Sequence, residues 1–173
     1  PLVGPRMPIL LAANIIGDDG QELLLYQSPT LTVLDYADGV LKEVAQYRST
    51  SMPTFADFDG DGETDIAVTE IGPTTRPLVQ VVAPRQENRV IWEARFPETD
   101  RAGLPQPRKS YTRAIHLTGK DTPDLYVWAG TPIVRSVGMD GRSGALLWEK
   151  GELGDQRYWG PSVNYASAFD YNQ

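Results

Sequence analysis

The chain has no cysteine and one histidine, His116, in 173 residues. Without cysteine there is no disulfide scaffold, no thiolate zinc site and no cysteine nucleophile. A single histidine excludes a multi-histidine metal cluster and argues against a histidine-based catalytic triad. Cations are also scarce: 16 Lys and Arg stand against 23 Asp and Glu, a net charge of −7. Nucleic acid demands a basic face, so it is not the expected partner. No apolar run approaches the ~20 residues that span a bilayer as a helix. The longest, Ile9–Ala13, is interrupted by Asn14. Pro1 is not followed by the basic start, apolar stretch and small-residue site of a secretion signal. That start reads as a chain whose leader was removed or as an internal piece. No nucleophile elbow, phosphate loop or paired-carboxylate set stands out, so no catalytic residue is assigned. What remains, 40% hydrophobic and 23% charged, is ordinary globular material.

Within it the chain repeats itself. Phe55-Ala56-Asp57-Phe58-Asp59-Gly60-Asp61-Gly62-Glu63-Thr64-Asp65-Ile66-Ala67-Val68 has a gap-free counterpart 43 residues earlier, running from Leu11 to Leu25. Asn14 falls where Asp57 stands, Gly17 where Gly60 stands and Glu22 where Asp65 stands. A third copy, Ala114 to Val127, keeps Gly119 and Asp124. A fourth begins at Ala168-Phe169-Asp170-Tyr171-Asn172-Gln173 and stops inside its turn.

After each acidic turn come further short β-rich runs. They are Leu31–Asp35 with Asp38-Gly39 behind it, Leu78–Val82 with Val90–Glu93, and Val134–Met139 with Asp140–Gly144 and Ala145–Glu149. Runs of this kind parted by Asp/Gly turns read as hairpins. No sustained helical period competes. Each repeat is therefore expected to hold four antiparallel strands: strand, acidic turn, strand, loop, strand, Gly turn, strand. Repeat offsets of 43 and 59 residues suit the blades of a β-propeller. The expected fold is all-β: one partial propeller over 1–173, with blades at about 7–50, 51–113 and 114–167 and a fourth starting at 168–173. Propellers close with ~4–8 blades, so about three blades read as a fragment of a larger ring. The competing fold is a free-standing β-sandwich. The gap-free repeat and the stop within a turn weigh against it.

The turn Asp57-x-Asp59-x-Asp61-Gly62-x-x-Asp65 is the most specific chemical signal. Calcium takes six to eight oxygens in irregular geometry. Alternate Asp residues on a tight loop aim three carboxylates at one centre, and Gly60 and Gly62 allow the sharp turn. The Glu63 carbonyl supplies another oxygen, and Asp65 closes the shell from the next strand. Four carboxylates this close repel one another until a divalent cation joins them. Magnesium prefers a strict octahedron and keeps its waters. An EF-hand needs Glu at position twelve, which here is Val68, and flanking helices. The alternative is an ion-free Asp/Gly hairpin. The first and third turns are expected to hold no ion. Ile16 replaces Asp59 in the first, and His116, Thr118 and Lys120 replace the three Asp in the third. There Lys120 stands in for the cation and His116 is a structural turn residue. Asp170 and Asn172 would begin a second site.

These residues resemble the FG-GAP/VCBS β-propeller repeats of integrin α-chain heads and exported bacterial proteins. The full match is Phe55–Val68; the first and third copies are degenerate. The resemblance implies a calcium loop that links two strands of a blade and rigidifies it, with Asp57, Asp59, Asp61, Glu63 and Asp65 as ligands. It also implies an extracellular, cell-surface or periplasmic location, where calcium is abundant. A weaker similarity, in Asp140–Glu149, is to the outer hairpin of pyrroloquinoline-quinone-type repeats. There the Gly makes the turn and the Trp, here Trp148, docks on a neighbouring blade. Trp92 looks equivalent. No quinone-binding set accompanies the motif.

Two segments are candidates for partner contact. Pro97–Tyr111 accounts for much of the 16-residue excess of the middle repeat and carries Arg101, Arg108 and Lys109. Loops carry function, and these cations suit an anionic glycan or subunit; a solvated connector is the alternative. Gly151–Tyr165 carries Arg157, Tyr158, Trp159 and Tyr165, which suit sugar stacking, a protein hot spot or packing between blades. The functional expectation is a calcium-stabilised binding or adhesion module for a protein or glycan ligand. The alternatives are a structural subunit of an exported or surface complex and the non-catalytic part of a carbohydrate-active enzyme.

Overall fold

The computed structural model describes residues 8–16, 20–71, 77–96, 109–130 and 134–152. The calls on Arg101 and Arg108, on the Arg157–Tyr165 cluster and on Asp170 and Asn172 lie outside these residues.

Alternating apolar residues and Asp/Gly turns give twelve strands: β1 (Ile9–Ala13), β2 (Glu22–Gln27), β3 (Thr30–Ala37), β4 (Val40–Arg48), β5 (Thr54–Ala56), β6 (Asp65–Glu70), β7 (Leu78–Ala83), β8 (Arg89–Arg95), β9 (Lys109–Ile115), β10 (Asp124–Gly130), β11 (Val134–Met139) and β12 (Leu146–Glu152). They form three four-stranded antiparallel sheets, β1–β4, β5–β8 and β9–β12, each a meander in chain order. Among the described residues there are three sheets where a sandwich has two. Among the described residues there is no α-helix, and none long and apolar enough to cross a membrane.

The repeat predicted from sequence reappears as register. Each sheet carries an irregularity at the same place in its third strand, between Val33 and Leu34, Val81 and Val82, and Gly138 and Met139. The residue pair just before it is Val33–Ala45, Val81–Trp92 and Gly138–Trp148. Trp92 and Trp148 are thus structurally equivalent. One turn departs from expectation. The β7–β8 connection has no Gly; it is a single 3-10 turn, Pro84–Gln86, followed by Glu87 and Asn88 with φ of +54° and +60°.

Side chains alternate across a strand, so each sheet has two faces. The middle sheet buries both. Ile66, Val68 and Val82 join Leu24, Tyr26, Leu31 and Val33 of the first sheet in one core. Ala67, Val79, Val81 and Trp92 join Leu125, Val127, Val137 and Met139 of the third sheet in another. Burying a side chain of the Val, Leu or Ile kind contributes roughly 1.5–3 kcal/mol, so these two layers carry most of the stability.

Polar groups tie the sheets together at both ends. The Trp92 indole N–H donates to the Gly141 carbonyl at 2.6 Å. Its ring lies on Gly144, whose φ is +68°; a Cβ there would stand 2.5 Å from the ring. Only glycine satisfies both constraints. The Tyr47 hydroxyl from β4 donates to Asn88 Oδ1, and burial pushes its pKa up to about 12. At the opposite end the Thr69 and Ser110 hydroxyls meet at 2.8 Å between the second and third sheets.

Candidate metal centre

All three acidic turns join the first two strands of their sheets, and they share one structural device. A carboxylate at the first residue of the second strand reaches back to two backbone N–H groups of the turn. Asp65 Oδ2 accepts from Phe58 at 2.8 Å and Asp59 at 3.3 Å. Asp124 Oδ2 accepts from Leu117 at 2.9 Å and Thr118 at 2.8 Å. Glu22 Oε2 accepts from Ile15 and from Ile16, the latter at 3.1 Å. All three acids are buried. Buried N–H groups need an acceptor, and a carboxylate is a strong one.

Asp65 is therefore fixed first as a staple of the turn. Burial pushes its pKa up to about 6; the Phe58 and Asp59 N–H groups oppose this, while the charges of Asp59 and Asp61 add to it. A positive charge at the turn would reverse that electrostatic burden.

The second turn adds a cluster found at no other turn among the described residues. Asp57, Asp59 and Asp61 converge, with one oxygen of each lying within 4.8 Å of the others. Local hydrogen bonds set their orientation. Asp57 accepts from Gly60 at 2.6 Å through Oδ1 and from Gly62 at 2.9 Å through Oδ2. Asp59 Oδ1 accepts from the Asp61 N–H at 3.2 Å, and Asp61 Oδ1 from the Glu63 N–H at 2.8 Å. Each oxygen keeps a further lone pair. A hard, oxygen-seeking cation fits this donor set. The Glu63 side chain turns away and pairs with Arg85, leaving its carbonyl as the group expected to serve an ion.

Sequence reasoning missed the cationic clasp around the turn. The β7–β8 connection lies against it. Gln86 Nε2 donates to Asp61 Oδ2 at 2.8 Å, and Arg89 Nη2 to Asp59 Oδ2 at 3.0 Å. Arg85 also donates to Asn14 Oδ1 at 2.6 Å, bridging to the first sheet. From the third sheet, Arg142 Nε donates to the Asp59 carbonyl at 3.0 Å. The Arg-Gln-x-x-Arg spacing was the available signal, but only the hairpin geometry gives it meaning.

Gly60 shows how closely the turn meets the third sheet. Its φ is +82°, and a Cβ would stand 2.8 Å from Arg142 Nη2 and 2.9 Å from Thr122 Cγ2. Gly60, Gly119, Lys120, Asp121, Thr122 and Arg142 line a cleft of about 400 Å³ beside it.

In the third turn Lys120 does not stay at the centre. Its ammonium reaches the β11–β12 hairpin and pairs with Asp140 Oδ2. His116 Nδ1 lies 3.3 Å from the Lys120 carbonyl and the ring is exposed, a turn contact within the sheet. Three residues of the first turn, 17–19, lie outside the described residues.

No protein-family model matches the chain, and none of the curated proteins does.

Proposed function

We propose that the three sheets are blades of a β-propeller of the FG-GAP/VCBS type, stabilised by calcium. Asp57, Asp59 and Asp61 hold the ion through side chains, the Glu63 carbonyl adds an oxygen, and Asp65 closes the loop. The observation that carries this reading is the convergence of the three Asp oxygens within 4.8 Å on a glycine-bearing turn. Support for the propeller comes from three successive meanders of four strands, stacked in order through two apolar cores. The ion would supply cohesion, not chemistry: it cancels the repulsion of the clustered carboxylates and stiffens the turn. On this reading the module works outside the cytoplasm and binds or adheres to a protein or glycan.

Calorimetric titration of the EDTA-treated chain with calcium chloride tests it. One binding event is expected, with a gain of about 2.7 kcal/mol in stability at calcium a hundredfold above Kd. Asp59→Asn with Asp61→Asn should abolish both. No heat and an unchanged melting temperature in the parent chain would remove the calcium reading. A glycan array probed with the calcium-loaded protein then tests the glycan branch of the binding role.

A further inference from the structure

Asp57, Asp59 and Asp61 each accept a hydrogen bond at both side-chain oxygens, and the donors fall into two groups. The turn's own backbone takes both oxygens of Asp57 and the Oδ1 atoms of Asp59 and Asp61. The oxygens left over, Oδ2 of Asp59 and of Asp61, go to the β7–β8 connection. Gln86 brings a neutral amide to Asp61. Arg89 brings a full positive charge to Asp59, at 3.0 Å.

Three arginines lie around this turn, and their tasks differ. Arg85 pairs with Glu63 and donates to Asn14, and its side chain is only 23% exposed. Arg142 donates to a backbone carbonyl, that of Asp59. Among the described residues, Arg89 alone forms an ion pair with one of the clustered carboxylates. Its side chain is 52% exposed, so it can leave for water at little cost. The repeat adds a comparison. Arg89 stands opposite Ala83, in the pair after Val82–Val90. The residue at that place in the first sheet is Lys42, opposite Asp35, and it reaches Asp38 of its own hairpin at 4.0 Å. In the third sheet it is Ala145, one place beyond the Met139–Leu146 pair. The third turn has His116, Thr118 and Lys120 in place of the three acids, and its sheet has no cation at this place.

We infer that Arg89 is the resident counter-ion of the acidic turn and sets its calcium affinity by opposing the metal. A metal ion on Asp59 Oδ2 must displace the guanidinium. A metal ion on Oδ1 must share one carboxylate with it. Either way two like charges meet at the same carboxylate. The turn is thus partly neutralised without an ion, and it fills only where calcium is concentrated enough to overcome the arginine. The inference rests on the calcium reading of this turn and names the residue that tunes it.

Calorimetric titration of the whole chain with calcium chloride tests it, parent against Arg89→Gln. Glutamine keeps a donor and removes the charge. Binding should tighten by about five-fold, the upper end of what an exposed ion pair opposes. In EDTA the same variant should melt at a lower temperature than the parent, since the counter-ion is gone. Arg89→Lys, which keeps the charge, should bind calcium as the parent does. Arg48→Gln is the control. It removes the same charge from a pair with Glu70, at the far end of β6 from Asp65, and should leave calcium affinity unchanged. A residue that merely orients Asp59 gives the opposite sign: its loss weakens binding. Weaker or unchanged binding by Arg89→Gln therefore overturns the inference and spares the calcium reading. So does equal tightening by Arg48→Gln, which would mean that net charge alone matters. An Arg89→Gln variant as stable in EDTA as the parent overturns the counter-ion role. A parent chain that binds no calcium removes the calcium reading, and the inference with it.

Discussion

The second and third turns have the same backbone task and opposite side-chain chemistry. Asp65 and Asp124 staple them identically, each accepting two N–H groups at the mouth of the turn. Around that staple, one turn gathers Asp57, Asp59 and Asp61. The other places His116, Thr118 and Lys120 at those positions and sends its lysine to Asp140. The turn is therefore built without the acidic cluster, and the cluster is added to a scaffold that already stands. Glu22 staples the first turn in the same way, through Ile15 and Ile16.

The strongest way to break this comparison is at the staple. Asp124→Ala should cost roughly 2–4 kcal/mol, since two inward N–H groups and the Thr118 hydroxyl lose their acceptor. Urea unfolding should give the same loss with calcium or with EDTA. A loss below about 0.5 kcal/mol would mean that the turn holds itself. Next is a graft. The triple change His116→Asp, Thr118→Asp and Lys120→Asp rebuilds the acidic cluster on the third turn. Calorimetry should then count one calcium more than in the parent. An unchanged count would show that the two turns are not interchangeable.

The smallest effect is in acid. Lys120, by hydrogen bond, holds the Asp140 carboxyl below its ordinary pKa of 3.8, and Ser143 adds to this. A native pKa below the unfolded one stabilises the fold above about pH 4 and is lost as pH falls through the native value. The Lys120 side chain is half exposed, so the pair contributes at most ~1 kcal/mol. The stability gap between the parent and Asp140→Asn should shrink from pH 6 to pH 3. A gap that widens toward acid would reverse the assignment.

Much of the architecture was readable from the chain because it repeats. Gap-free alignment located the strands on both sides of each turn, and the shared turn residues located Glu22, Asp65 and Asp124. The staple role of these three acids was not legible: Asp65 was read only as a metal ligand, because its hydrogen bonds to Phe58 and Asp59 exist only once the turn is folded. The equivalence of Trp92 and Trp148 was also legible, from the short β-run around each. The clasp was not. Arg85, Gln86 and Arg89 lie more than 20 residues from the acids they hold. Their approach depends on a 3-10 turn and two left-handed residues, Glu87 and Asn88, that replaced the expected Gly turn. Lys120 was assigned to its own turn because the sequence shows only neighbours along the chain, whereas Asp140 arrives from the adjoining hairpin.

The extra residue on the fourth strand of each sheet, Val44, Ile91 or Leu147, works as a keyed notch. It fixes which side chain the outer strand sets opposite the third strand just before the irregularity: Ala45 in the first sheet, Trp92 in the second and Trp148 in the third. The first two pack toward the following sheet. Side chains as different as alanine and tryptophan thus occupy one position of the sheet with no change in strand order or in the place of the irregularity.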